Sequence, residues 1–332
     1  MKPLVLFIDT VCSKPYSAKV LDSEPLGGTE ATVTRIAEGL KSTYDVIVAQ
    51  HNRTIDETTS GVLYTSLGIL ESKIRPRAVV ALRSPLTIPL TYERWRDAKQ
   101  LLWCHDLVTK DLLLNARILN DCKVTIVTVS DFHKQNISSL FLTNTEYDGR
   151  ANVTVKRVYN PIDDNLRPDD TERDNSKMVF LSSPHKGLDL TLEYFTRLRQ
   201  TRPDLKLHVA NPGYYKGKPI DIPGVVNLGE LTHDQVIKNL RDAMCLFYPN
   251  TVFPETFGLV LAEANAVDTP VLCHRFGAAA EVLGDIQPID CRDFDKVNER
   301  LIALQFNRGA FAMADLTPFR LTNVINEWSK LL

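Results

Sequence analysis

Two glutamates eight positions apart, Glu255 and Glu263, frame the run Phe253-Pro-Glu-Thr-Phe-Gly258-Leu-Val-Leu-Ala-Glu263-Ala-Asn-Ala266, and an apolar Thr269-Pro-Val-Leu272 follows at once. Carboxylates hold hydroxyls, and the amides at a helix N-terminus hold anions because they have no partner inside the helix. The pattern predicts a helix start here, with the amides of Phe257, Gly258 and Leu259 between the two acids. At roughly 1.5 Å of rise per residue, eight positions span about 12 Å, near the length of a sugar-diphosphate-ribose unit. Hydroxyls at both ends and phosphate between them are the chemistry this run could do. Taken singly, Glu255 also reads as a helix-start acid favoured by the macrodipole, and Glu263 as a solvated or core-edge acid. Glu263, however, stands among Leu259, Val260, Leu261, Ala262, Ala264 and Ala266, where an unpaired charge is costly.

Three further places could supply chemistry. Gly27-Gly28-Thr29-Glu30 enters a long helical pattern, and paired glycines let the backbone approach an anion closely. A turn capped by Thr29 explains the same residues. His185-Lys186-Gly187 lies between a strand pattern and a helix pattern, where a lysine could neutralise a phosphate as a mobile point charge or simply be a loop lysine. His105 follows an apolar run directly and could give or take a hydrogen bond at a strand end, although a lone histidine is often structural. His51, His133, His208, His233 and His274 show no ligand spacing. Gly-x-Gly-x-x-Gly, His-Glu-x-x-His and Gly-x-Ser-x-Gly are all missing, so nicotinamide, zinc-hydrolase and serine-nucleophile chemistry lack support.

The elements that must position these groups follow a βα rhythm, which implies parallel sheets. The first half reads as strand Leu4 to Ile8, helix Gly28 to Lys41 and strand Asp45 to Ala49. A less legible stretch then carries a strand at Ala78 to Leu82, a helix near Thr91 to Lys99 and a strand at Gln100 to Cys104. Val124 to Val129 is a further strand, with Ser130-Asp131 capping a helix. From Asn160-Pro161 to Asp174 the chain turns polar and acidic, as an interdomain connection does. Those acidic pairs read as solvated linker charge before they read as a metal site. The second half continues with strand Met178 to Leu181, helix Leu188 to Arg199, strands Leu205 to Ala210 and Val225 to Leu228, a helix from Thr232 to Asp242 and strand Cys245 to Tyr248. In such sheets the residues just past the strand ends face the ligand crevice.

The 332 residues suffice for two domains, and 44% hydrophobic with 24% charged residues describe a globular chain. A formal charge of −2 argues against nucleic-acid binding. Six dispersed cysteines, Cys12, Cys104, Cys122, Cys245, Cys273 and Cys291, form no Cys-x-x-Cys pair. They point to a reducing, cytoplasmic compartment and to no structural metal. The apolar start is cut short by Asp9, so a first strand is expected rather than a signal peptide. Lys73, Arg75 and Arg77 with Tyr92, Arg94, Trp95 and Arg96 could form a basic, aromatic surface for peripheral membrane or lipid-linked contact, or a solvated face.

Over nearly its whole length the chain resembles the retaining GT-B glycosyltransferases of the family 4 type, also called glycosyl transferases group 1. The Glu255/Glu263 element carries the resemblance, supported by Gly27-Gly28, His105 in Trp-Cys-His-Asp, Val129-Ser130, Asn160-Pro161 and Lys186-Gly187. The resemblance implies an α/β GT-B fold of two Rossmann-like domains facing a cleft. Residues 1–160 would form the acceptor-side domain and 161–310 the nucleotide-sugar domain, with 311–332 a helical segment crossing back to the first. It implies a nucleotide-diphosphate sugar donor, a saccharide or a lipid- or protein-linked acceptor, retained anomeric configuration, and no cofactor or metal. Glu255 would hold the donor sugar, Glu263 the ribose, and Lys186 with the amides of Phe257, Gly258 and Leu259 the diphosphate. His105 would line the donor-sugar and acceptor pocket, and Gly27 and Gly28 the approach from the other domain.

The chain departs from the family pattern in one place. Many relatives have an arginine five or six residues before the lysine, where this chain reads Phe180-Leu181-Ser182-Ser183-Pro184. Either Ser182 and Ser183 bind phosphate as neutral donors or another cation enters. The departure keeps a non-catalytic sugar-nucleotide-binding subunit open as an alternative, beside an epimerase or phosphorylase on the same fold.

Overall fold

The computed structural model describes residues 2–107, 109–143, 153–211, 219–306 and 311–332. The chain forms two compact units, one of residues 1–19, 28–161 and 321–332, the other of 20–27 and 162–320. Both are mixed α/β units of Rossmann type.

In the first unit the strands are β1 (Leu4–Asp9), β2 (Asp45–Gln50), β3 (Glu57–Thr59), β4 (Val62–Ser66), β5 (Ala78–Leu82), β6 (Lys99–Trp103), β7 (Thr125–Thr128) and β8 (Thr154–Arg157). Among the described residues they form one sheet in the order β3-β4-β2-β1-β5-β6-β7-β8, parallel except for β3 against β4. Strands β1 and β5 are apolar runs without alternation, because covering helices bury both faces of a parallel sheet. Helix α1 (Ala18–Ser23) begins in this unit and ends in the second, and the helices of the first are α2 (Gly28–Leu40), α3 (Thr87–Arg94), α4 (Lys110–Leu114), α5 (Ala116–Asp121) and α6 (Asp131–Thr143). Helix α3 begins earlier than the pattern at Thr91 to Lys99 predicts, and Lys99 already belongs to β6. Pro89 sits in the first turn of α3, where its missing N–H costs nothing.

Of the predicted basic, aromatic surface, Lys73, Arg75, Arg77, Arg94 and Arg96 are exposed, Tyr92 is half-buried and Trp95 belongs to the core. Trp95 is buried, and its Nε1–H donates to the Ile74 carbonyl at 2.9 Å. Arg77 Nε donates to the Leu332 carbonyl at 3.0 Å, and Arg94 binds the carbonyls of Glu71 and Ser72.

The second unit has strands β9 (Asp174–Leu181), β10 (Lys206–Ala210), β11 (Val225–Gly229), β12 (Ala243–Tyr248) and β13 (Val271–Cys273), paired in parallel in the order β11-β10-β9-β12-β13. Helices α7 (Leu188–Arg199), α8 (His233–Arg241), α9 (Leu259–Ala266), α10 (Ala279–Leu283) and α11 (Phe294–Phe306) accompany it. Helix α9 corrects the single helical span read from Glu255 to Glu263: it starts at Leu259, so only Glu263 is on it. Glu255 instead lies in an extended segment bridged to Gly277.

A last helix, α12 (Leu321–Leu331), packs in the first unit against α2. Its Trp328 is fully buried, with ring centroids 6.2 Å from Phe7 and 4.6 Å from Trp103. No helix among the described residues is long and apolar enough to cross a membrane.

Candidate functional site

In the second unit two loops meet past the C-terminal ends of β9 and β12. The first, Ser182 to Gly187, leads into α7. Gly187 has φ +90°, and a Cβ there would lie 3.0 Å from the Asn250 Cα. Glycine therefore lets this loop close onto the one after β12. Lys186 Nζ lies 2.9 Å from both carboxylate oxygens of Glu255.

Two more hydrogen bonds fix Glu255. Tyr248, the last residue of β12, donates its hydroxyl to Glu255 Oε1 at 2.6 Å. Burial and then the Glu255 carboxylate push this phenol well above its ordinary pKa, while a bond to Ser182 and one to Asn250 pull the other way. Asn250 folds the loop on itself, its Oδ1 accepting the N–H of Val252 and of Phe253 at 3.1 Å each. Behind Glu255, the Ala278 N–H donates to its carbonyl at 2.9 Å, and a Cβ at Gly277 would sit 2.5 Å from that same oxygen. A carboxylate that is nearly fully buried thus receives an ammonium and a phenol, as a buried charge requires.

The predicted donor-side residues sit around this core. Gly258, with φ +86°, caps α9 from the left-handed region, and the Leu261 amide returns to its carbonyl at 3.0 Å. Leu259 is the first helical residue. The Phe257 side chain is core, 5.2 Å edge-on from Phe319, so only its backbone could meet a ligand. Ser183 is buried and takes the Lys186 N–H on its carbonyl at 2.9 Å. Glu263, 6% exposed on α9, meets His233 Nε2 at 2.8 Å.

Of the other predicted residues, His105 and Gly28 belong to the first unit and Gly27 to the second. Gly28 opens α2 in the first unit, and Gly27 precedes it. His105 follows β6 in the first unit, its ring 4.5 Å from that of Trp103. It lines a small, partly open depression with Arg83, Cys104, Asp106, Leu107, Thr109 and Leu112. Burial first, then the charges of Arg83 and His133, hold its imidazole well below the ordinary pKa. Arg83, with φ +61° at the end of β5, reaches Glu30 at 3.2 Å and Asp9 at 3.6 Å. Tyr16 donates to the other Asp9 oxygen at 3.0 Å.

His133, also buried, braces the loop after His105. Its Nδ1 accepts the Val129 N–H at 3.4 Å, so Nε2 carries the hydrogen it gives to the Asp106 carbonyl at 2.8 Å. Burial lowers its pKa from 6.5 to about 4, against the opposing effect of that carbonyl. The folded pKa is the depressed one, so the neutral form costs nothing above pH 6.5. The penalty grows as pH falls and is complete below about 4. It amounts to about 3 kcal/mol at roughly 1.4 kcal/mol per pH unit. Urea titrations at about pH 7.5 and about pH 4.5 should show a smaller acid loss in His133→Gln than in the parent.

The sequence pattern left out Tyr248, Asn250 and Arg83, and it gave His233, Asp9 and Glu30 no role in a site. Tyr248 left one signal, a hydroxyl closing an otherwise apolar strand. All six cysteines are free and buried, and burial pushes Cys104, Cys245 and Cys273 up to about 12. No group of three or more metal-ligating side chains occurs among the described residues.

Residues 170–304 match the family profile described as Glycosyl transferases group 1. No curated protein matches the chain by sequence. Among solved structures it is similar to HepE of Anabaena in complex with UDP-glucose, with TM-score 0.68 and 15% identity over 99% of this chain and 100% of that one. Sucrose-phosphate synthase from Thermosynechococcus elongatus gives TM-score 0.68 and 14% identity over 100% and 98%. TarM of S. aureus, in complex with fondaparinux, alpha-GlcNAc-glycerol and UDP, gives TM-score 0.58 and 14% identity over 76% of this chain and only 55% of TarM. At these identities the likeness is one of fold, and the fold is GT-B.

Proposed function

We propose that this glycosyltransferase moves a sugar from a nucleoside diphosphate sugar to an acceptor hydroxyl, with retained anomeric configuration and without a metal. The observation that carries the reading is Lys186 and Tyr248 converging on Glu255, at strand ends where parallel α/β sheets take ligands. Glu255 holds hydroxyls of the donor sugar and Glu263 the ribose. When the bond between the anomeric carbon and the diphosphate oxygen breaks, its electron pair stays on the diphosphate. Lys186 and the amides of residues 257–259 stabilise that charge, and preorganised cations and amides do there what a divalent ion would do. In the ligand-free protein the ammonium rests on Glu255, and an arriving diphosphate competes for it. Unit one takes the acceptor, a saccharide or a lipid- or protein-linked one, with His105 in its pocket. Six free, buried thiols suit a reducing, cytoplasmic setting. HepE with UDP-glucose and TarM with UDP make a UDP-hexose the first donor to try.

A second reading is a sugar-nucleotide-binding subunit without turnover. It is favoured by the stretch Phe180 to Pro184, which holds no cation where relatives carry an arginine, and in which Ser182 bonds to Tyr248. Thermal shift and donor hydrolysis with uridine, guanosine, adenosine and thymidine diphosphate sugars distinguish the two. The expected outcome is a selective shift for one donor and slow hydrolysis that persists in chelator, with at least about 100-fold lost in Glu255→Gln. Selective binding with no hydrolysis or transfer would favour the second reading, and binding of no donor would sink both.

A further inference from the structure

Glu263 is the one charged side chain of a helix whose other residues, from Leu261 to Ala266, are buried and uncharged. Thirty positions earlier in the chain, His233 brings its Nε2 to 2.8 Å from Glu263 Oε1. A carboxylate oxygen only accepts, so Nε2 carries the hydrogen and donates it.

The imidazole is presented by a rigid platform. His233 is the first residue of α8, and the capping box just before it is complete: Thr232 Oγ1 accepts the Gln235 N–H at 3.4 Å, and Gln235 Oε1 accepts the Thr232 N–H at 2.9 Å. Two orphan donors of the helix end are thereby satisfied together. Ile237 and Leu240 bury the other side of α8, which packs on α9, β9 and β12. A glutamate side chain has several rotatable bonds, and a donor fixed in this way selects one of its arrangements. Functional groups held by such supporting bonds keep their geometry better than groups left to sample rotamers.

We propose that His233 is the positioning residue for Glu263, and that it thereby sets recognition of the ribose diol of a nucleoside diphosphate. The inference rests on the donor reading above and goes beyond it by naming the residue that orients the ribose-side carboxylate. A histidine that only satisfied a buried acid would contribute to stability and leave sugar discrimination untouched.

The test is calorimetric titration of the full chain with matched ribose and 2′-deoxyribose forms of UDP, GDP and ADP. The expected result is that the parent binds the ribose form of one pair roughly tenfold tighter or more. That preference should collapse in Glu263→Gln and equally in His233→Ala, should return in His233→Gln, whose amide restores a donor, and should fall no further in the double variant. A His233→Ala protein that keeps the parent's ribose preference, whatever its melting temperature, overturns the positioning role and leaves the donor reading intact. A parent that binds a nucleotide without any ribose preference overturns the ribose assignment of the pair. Binding of none of the six nucleotides overturns this inference, and the donor reading falls with it when no sugar nucleotide of the four-base panel binds either.

Discussion

Replacing Lys186 with methionine should lower sugar transfer roughly 10²–10³-fold, the usual cost of removing one preorganised stabiliser of a charge that develops in the transition state. Methionine keeps most of the apolar stem and removes the ammonium that lies 2.9 Å from both Glu255 oxygens. The same substitution should lower stability, because the Glu255 side chain is only 9% exposed and would keep the Tyr248 hydroxyl without a cation. Adding Glu255→Gln removes the stranded charge. The double variant should therefore regain melting temperature while remaining as inactive as Lys186→Met alone. Full activity in Lys186→Met, measured as kcat on the donor the panel selects, would remove the lysine from the chemistry.

Gly277→Ala is expected to be nearly as damaging, by a different route. Gly277 has φ +62°, and a Cβ would lie 2.5 Å from the Glu255 carbonyl oxygen, 2.6 Å from its nitrogen and 3.0 Å from the Pro254 carbonyl carbon. Every one of these neighbours is backbone, so no flexible side chain can move aside. Left-handed strain of about 1–2 kcal/mol and overpacking of about 1–3 kcal/mol give a loss of roughly 2–5 kcal/mol. A displacement of Glu255 by about 1 Å would cost on the order of 100-fold in turnover besides. Gly284→Ala is the control: φ is +69° and nothing stands within 4 Å. It should carry the conformational cost alone and leave turnover unchanged. Melting curves and kcat for the two variants check both statements, and a Gly277→Ala enzyme with parental kcat would show that this contact does not set Glu255.

The elements that the sequence made legible are those whose burial is uniform. Unbroken apolar runs mark β1 and β5, and the amphipathic spacing over Leu188–Arg199 matches α7 end to end. Strand β8, Thr154–Arg157, is half-buried at the sheet edge and has no apolar run to betray it. At the site, Glu255 and Lys186 stood out through motif context, sixty-nine positions apart, and the fold brings them into contact. The helical rise taken between Glu255 and Glu263 failed because Gly258 adopts a left-handed conformation and starts α9 only after it. His233 gave no signal at all, since its nearness to Glu263 arises from the packing of α8 on α9, which no local spacing encodes.

The helix that carries Trp328 also has a consequence for how the protein is made. Synthesis runs from the amino end, so residues 321–332 leave the ribosome only after all of 162–320 has emerged. Until then Phe7 and Trp103 lack the indole that closes over them, and the earliest-translated unit waits with an open apolar face. Its partner unit, apart from residues 20–27, is contiguous in the chain. Nascent-chain folding should therefore run in the reverse of the customary amino-first order. A stalled or prematurely terminated product would expose that face, making it a natural client for chaperones.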